Sequence, residues 1–386
     1  MQLAPNRRLW TSYGEPDFVR DVARFVDTRI APIADDIDRR DYYPIEVMKE
    51  LARAGLSSIT LPRRYGGGEK NFTQAVALFE EVAVGSAAVA VSLITTFQAQ
   101  TIVSLFGSEP LKQRYLPMFA DGMLAAYALT EASHGSDIRK LDTKAVCRGD
   151  RWLITGEKSF ITSGSAAEFF VILAQTDVGV SAFAVPRSAP NLSHYVGENS
   201  ATFGLRNGPH VNLRLDGVEV PADHLIGTEG KGVRQAVVTL NFSRTLAAAI
   251  SIGIARAAFE TALQYAQKRV AFDRTISEFQ GIQWYFADML TEIDAARLLV
   301  YRAAKALDDN DDIDRYGSSA KLMASEVATK VAAQAVQICG AYGVQDNNPF
   351  GRFFRDAKAY EIAGGSKEVL KNTIGKFLGK SGASAA

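Results

Sequence analysis

Gln337-Ile338-Cys339-Gly340-Ala341-Tyr342-Gly343 opens the run that decides how this chain reads; Arg352-Phe353-Phe354-Arg355-Asp356-Ala357-Lys358 and Ile362-Ala363-Gly364-Gly365-Ser366-Lys367-Glu368 complete it. Apolar residues at helical spacing stop at closely spaced glycines. A polar turn with Asn347-Asn348-Pro349 follows, and a second helix resumes with three basic residues and one Asp. Glycines at a turn let backbone approach a ligand, and their amides can face an anion. Gly-rich turns between helices also occur without any ligand, so the residues alone leave both readings open.

Working outward, the chain from Val237 to its end reads helical, with Thr245–Val270 and Gln280–Leu307 long enough for antiparallel bundle helices. Asp308-Asp309-Asn310-Asp311-Asp312 reads as a solvated acidic turn, and Gly382–Ala386 as a disordered tail. Further upstream the period shortens. Trp152–Gly156, Phe169–Ala174, Ser181–Pro186, Val211–Asp216 and Val218–Pro221 are strand-like runs of a small β-domain that ends near Gly227–Gly232. Residues 16 to about 122 read helical again: Phe18, Val22, Phe25 and Val26 form one stripe, a helix spans Phe72–Val84, and Ala87–Phe106 is apolar enough for a buried helix.

The chain has 386 residues, with 43 basic and 43 acidic side chains, so no global field draws it to nucleic acid or an anionic membrane. Cys147 and Cys339 are far apart and lack C-x-x-C spacing, which suits a reducing compartment. No secretory leader or membrane-spanning run is apparent. The expectation is a soluble, cytoplasmic protein without a metal site.

The order helices, β, helices and the 337–368 run resemble the acyl-CoA dehydrogenase family over nearly the whole chain. The resemblance implies an α+β multidomain fold: an N-terminal all-α domain (1–122), a middle β-barrel domain (123–233) and a C-terminal four-helix bundle (234–386). It implies one FAD per subunit and a homotetramer, because Gln337, Gly340 and Ala341 would hold the ADP part of a neighbour's FAD. Arg269, in Arg269-Val270-Ala271-Phe272-Asp273, would meet the same FAD's pyrophosphate, with Phe272 beside it and Gln280 near the adenosine. Asp273 replaces the family's usual Gly.

Ala128–Asp137 resembles the family's first signature, with Tyr127, Leu129 and Thr130 bordering the flavin pyrimidine and Gly135 and Ser136 touching flavin and thioester. His134 and Lys140 stand where small residues are usual. Read without the resemblance, the stretch is an Asp/Ser-rich turn that caps itself or a ledge for a flat polar ring. Phe160-Ile161-Thr162 resembles the triplet that covers one flavin face, and Ser366 and Glu368 extend the C-terminal FAD element. Ser136, Phe242, Arg244, Gly364 and Gly365 would line the thioester cleft, with Thr95-Thr96-Phe97 shaping the acyl pocket.

The resemblance also exposes a gap. The residue in front of the family's Gly-Thr/Ser pair is the glutamate that removes the substrate α-proton, and here it is Gly364. A minority of members carry that glutamate at the position of Ser243. A positioned base is worth roughly 10² to 10⁴ in rate, so the implied reaction, α,β-dehydrogenation of an acyl thioester on coenzyme A or acyl carrier protein with electrons passed to an electron-transferring flavoprotein, needs another source for the α-carbanion. His134 could act as base from a new direction, since its ordinary pKa lies near neutral. Glu361, one helical turn before Gly364, reads as structural. Alternatives are a desulfinase-like elimination, for which the expected arginine is missing from Ala87–Phe97, a flavin monooxygenase, or a base-less subunit of a heteromeric dehydrogenase. Outside enzymes, the second class is a helical interaction protein, which would purify colourless.

Overall fold

The computed structural model describes residues 9–10, 13–197 and 201–381; the tail 382–386 lies outside them. The chain begins with α1 (Pro16–Phe25), continues through π and 3-10 turns to α2 (Ala34–Arg40), and then forms α3 (Ile45–Arg53), α4 (Phe72–Gly85), α5 (Ala87–Phe106) and α6 (Glu109–Ala120). Helix α5 spans the residues its composition predicts. Its N-cap is Ser86, whose hydroxyl accepts from the Val89 amide. Helix α4 is capped twice. Asn71 accepts from Gln74 N, and the Asp308 carboxylate accepts from Phe72 N at 2.6 Å and Thr73 N at 3.1 Å. Asp308 is therefore a remote cap placed by the last turn of a later helix, and the solvated acidic turn shrinks to residues 310–312.

The middle strands are β1 (Ala125–Ala128), β2 (Lys144–Arg148), β3 (Arg151–Ile161), β4 (Phe169–Gln175), β5 (Val180–Pro186), β6 (Leu192–Val196), β7 (Val211–Pro221) and β8 (Leu225–Ile226). They form one sheet in the order β6-β7-β3-β2-β4-β5-β8, with β1 parallel to β4. A single residue pair, Lys144 with Gln175, joins β2 to β4. The two halves fold over a shared core in which Trp152, Ile154, Leu213 and Val220 meet Phe170, Ile172 and Phe183. Alternate residues Phe169, Val171 and Leu173 pack instead on Leu111, Tyr115 and Phe119 of α6. With both faces covered, β4 reads as an unbroken apolar run. The two predicted segments 211–216 and 218–221 are one strand, bent where Gly217 takes φ 70° opposite a register shift in β3. Strands β2 and β6 escaped the sequence reading because most of their side chains are exposed and show no alternation.

The C-terminal part comprises α7 (Gly232–Lys268), a hairpin of β9 (Val270–Ala271) and β10 (Arg274–Thr275), α8 (Gln280–Asp309), α9 (Ile313–Cys339), α10 (Phe350–Tyr360) and α11 (Lys367–Ser381). Helices α5 and α7 are long and apolar enough, by composition, to cross a membrane. Their apolar windows are 67% and 94% buried inside the protein, so core packing accounts for the apolarity. Helix α4 is tied to the bundle by Arg256 of α7, which is fully buried against the carboxylates of Glu80 and Glu81.

Candidate functional site

Three clusters gather the residues singled out by sequence. The first is a ledge where β1 runs into residues 129–136. The carbonyl of Thr130 accepts from Ser159 N at 2.9 Å, which sews this loop to the end of β3. Beneath it Lys158 Nζ donates to Glu131 at 2.7 Å and to Leu129 O at 3.2 Å, with the ammonium and carboxylate almost wholly buried. Burial pushes the Lys158 amine down to about 8 against the pull of Glu131. Phe160 follows in left-handed backbone, φ 57°, and the residue is 56% exposed. Ile161 is buried, and the Thr162 hydroxyl lies 3.4 Å from His210 Nε2. Gly135 and Ser136 are exposed, and the Tyr127 hydroxyl is buried without a partner among the described residues. An exposed aromatic ring one residue past the Ser159–Thr130 contact is a surface on which one face of a flat ring can lie.

His134 belongs to this ledge and is held within its own loop. Its backbone bridges Glu131, and Nε2 lies 3.4 Å from Asp142. Glu131, His134 and Asp142 bring ligand-type atoms within 4.8 Å of one another. The Glu131 oxygens, however, already accept from Lys158 Nζ, Asp142 N and Thr143 N, so the group is a structural knot.

The second cluster is a cleft of about 760 Å³ bounded by the end of α7 and the end of α9, lined by Lys268, Arg269, Val270, Gly340, Ala341 and Tyr342 among others. It unites segments some seventy residues apart in sequence. Helix α9 stops at Cys339 because Gly340 takes φ 55°, and a Cβ there would meet nothing within 4 Å, so the turn is open. Phe272 and Asp273 occupy the two tip positions of the β9–β10 hairpin, both with positive φ, 52° and 63°. Such a turn favours Gly, and Asp tolerates it, which accounts for Asp273. Phe272 is 89% exposed, and Gln280 and Gln337 are exposed as well. The basic residues of α10 do not reach this cleft: Arg352 pairs with Asp35 and Arg355 with Asp38.

The third cluster lies between α7, α9 and the turn before α11. Ser243 is buried, and its hydroxyl donates to Leu240 O at 3.0 Å. Phe242 packs edge-on against Phe72, 4.9 Å between centroids. Arg244, 6% exposed, donates from Nη1 to Asn241 Oδ1 at 3.0 Å, and burial lowers its pKa. Gly364 and Gly365 both take positive φ, 72° and 116°. Ser366 caps α11 by accepting from Val369 N, and Glu368 sits in that helix's first turn, so helix initiation already explains both residues. Glu361 is buried and paired with Lys358 and Lys367, in line with a structural role. Lys321 of α9 escaped the sequence reading. It is fully buried, donates from Nζ to the Gly365 carbonyl at 2.7 Å, and is pushed down to about 7 by burial and by Arg244. A lysine among the alanines of a buried helical face was its only signal.

Profiles of the acyl-CoA dehydrogenase N-terminal, middle and C-terminal domains match residues 15–123, 126–218 and 230–379. Cyclohex-1-ene-1-carbonyl-CoA dehydrogenase of Geobacter metallireducens is 37% identical over 370 residues, 94% of this chain and 96% of its own. An acyl-CoA dehydrogenase of Bacillus subtilis is 38% identical over 93% and 96% of the two chains. Butyryl-CoA dehydrogenase of Megasphaera elsdenii superposes with a TM-score of 0.91 at 32% identity, covering 95% of this chain and all of the other.

Proposed function

The chain belongs to the acyl-CoA dehydrogenase family, oxidoreductases acting on CH–CH groups, and on that premise we propose that it is an FAD-dependent α,β-dehydrogenase of an acyl thioester, carried on coenzyme A or an acyl carrier protein. The observation that carries this reading is the cleft in which Arg269 and Lys268 converge with the open Gly340–Ala341 turn. Two cations lining one cleft with an exposed glycine turn suit a diphosphate, since a guanidinium fork matches phosphate oxygens. The exposed Phe160 ring, which follows the Ser159 contact with Thr130 and precedes Thr162, suits one face of an isoalloxazine. The residues present therefore fit FAD, which when bound supplies the two-electron acceptor.

The chain's own side chains would then divide the work. Phe160 excludes water from one ring face, and lower local polarity strengthens each contact made there. The Thr162 hydroxyl donates at the ring edge. Lys158 and Glu131 are positioning residues that hold the 129–136 loop against β3. Arg244, beside Gly365, would face the thioester cleft, whereas Phe242 packs on Phe72 of α4. Electrons would leave to an electron-transferring flavoprotein, and the Arg269 cleft would serve a neighbouring subunit's FAD in a tetramer. No carboxylate stands at Gly364 or Ser243, and Glu361 is engaged by two lysines, so the α-carbanion must arise without the family's base.

Anaerobic titration of the purified flavoprotein with acyl thioesters tests the proposal. Loss of oxidised-flavin absorbance with at least one saturated acyl thioester is expected. A colourless preparation that takes up no FAD would favour the non-enzymatic reading instead.

A further inference from the structure

Neither Gly364 nor Gly365 carries a side chain toward α7. A Cβ built on Gly364 would meet only the Ala247 Cβ, at 3.9 Å, so the place of the usual base is open. A Cβ on Gly365 would lie 3.5 Å from Arg244 Nε and 3.7 Å from Nη2. The edge of the guanidinium that faces the glycine pair is thus the Nε–Nη2 fork, whose spacing matches the two oxygens of a carboxylate. Nη1 is occupied by Asn241, whereas Nε is a buried donor without a partner among the described residues.

A buried guanidinium with an unmet donor is costly unless something completes it. Its neighbours are committed elsewhere. Asp314 accepts from the Asn241 amide nitrogen, Glu361 pairs with Lys358 and Lys367, and Lys321 brings a further basic group against the Gly365 carbonyl. Electrostatics and open space at the vacated position both call for an anion supplied from outside the chain.

We infer that the substrate itself provides this carboxylate, on its α-carbon, and that Arg244 receives it beside Gly364. The inference rests on the acyl-thioester dehydrogenase reading and names its substrate class: malonyl-type 2-carboxyacyl thioesters with at least one β-hydrogen. Such a substrate removes the need for a base. The bond from Cα to the carboxylate breaks, CO₂ leaves, and the bonding pair stays on Cα, delocalised into the thioester carbonyl. That pair forms the Cα=Cβ bond as hydride departs from Cβ to the oxidised flavin. Substrate anion and oxidised flavin give enoyl thioester, CO₂ and reduced flavin anion; two electrons and one negative charge are conserved, and no α-proton moves. Arg244 is the residue that determines specificity, holding the carboxylate where Gly364 leaves room.

Malonyl-CoA and acetyl-CoA both lack a β-hydrogen, so calorimetric titration of the flavoprotein with each reads binding alone. Malonyl-CoA should bind roughly 10- to 100-fold more tightly, the range of one charged hydrogen-bonded contact. Arg244→Gln should erase the difference, and Arg244→Lys should restore part of it. In anaerobic mixing, ethylmalonyl-CoA should bleach the flavin with one CO₂ released per flavin, while butyryl-CoA, which leads to the same enoyl product, should not. Gly364→Glu, which returns a carboxylate to the fork, should reverse that preference and decides the matter if the Arg244 variants do not fold. Equal binding of malonyl- and acetyl-CoA, or bleaching by butyryl-CoA alone, overturns the carboxylate inference and leaves the dehydrogenase reading standing. Bleaching by neither ethylmalonyl-CoA nor any saturated acyl thioester, on coenzyme A or acyl carrier protein, removes that reading, and this inference with it.

Discussion

Lys158 and Glu131 are 0% and 3% exposed at the side chain and 2.7 Å apart, under the ledge that the flavin would occupy. Their mutual attraction offsets two desolvation penalties, so removing one partner should be worse than removing both. Lys158→Met is expected to cost about 3–5 kcal/mol in urea unfolding, because it strands a buried carboxylate. The double variant Lys158→Met/Glu131→Gln should recover much of that loss. A single-variant cost below about 1 kcal/mol would show that water reaches the pair and that the buried geometry is wrong. The acidic member was legible as part of a signature. Its partner was not, because Lys158 lies on a β-strand twenty-seven positions away and only the β3 register turns it inward.

At the scale of elements, His224 locks helix α6 to strand β5. Its Nδ1 donates to Ala184 O at 2.8 Å, which leaves Nε2 to accept from Arg114 at 3.0 Å and from the Tyr115 hydroxyl. Burial, helped by Arg114, depresses its pKa below 6.5. The folded state therefore prefers the neutral ring, and the unfolded chain binds the extra proton first as pH falls. The stabilisation is complete above the unfolded pKa of about 6.5 and is lost as pH drops through the folded value. Unfolding free energy followed from pH 7.5 to 5 should fall with decreasing pH, and His224→Gln should reduce that slope by up to about one proton. An unchanged slope would mean that the ring does not titrate on unfolding. Helices α4 and α5 were readable from their apolar content, whereas β2 and β6 were not, because exposed strands carry no period. The Asp308 cap on α4 joins residues more than two hundred positions apart, and no local pattern announces such a contact.

At the scale of the whole molecule, Phe272, Trp284 and Val344 are 89%, 61% and 73% exposed, and Val270, which lines the Arg269 cleft, is 58% exposed. Large apolar side chains left in water are expected where subunits meet. With a chain mass of 41.8 kDa, light scattering should report about four times that value under the tetramer reading. Phe272→Ser combined with Trp284→Ser should yield smaller species that lose FAD in parallel, since each cleft would serve a neighbour's cofactor. A wild-type monomer that holds FAD firmly would rule this arrangement out.

Sequence by itself determined the helical, β and helical order, because periodicity, caps and glycine breaks are local properties of the chain. It also determined that Gly364 and Ser243 carry no carboxylate at the two positions where the family resemblance implies a base. Only the tertiary structure decided what stands around that gap. The guanidinium edge of Arg244 turned toward Gly365, the buried Lys321 amine on the Gly365 carbonyl and the engagement of Glu361 by two lysines are products of packing between α7, α9 and the α11 turn. Charge without a partner is a property of an environment, and a linear sequence specifies residues without stating which of them will be enclosed together.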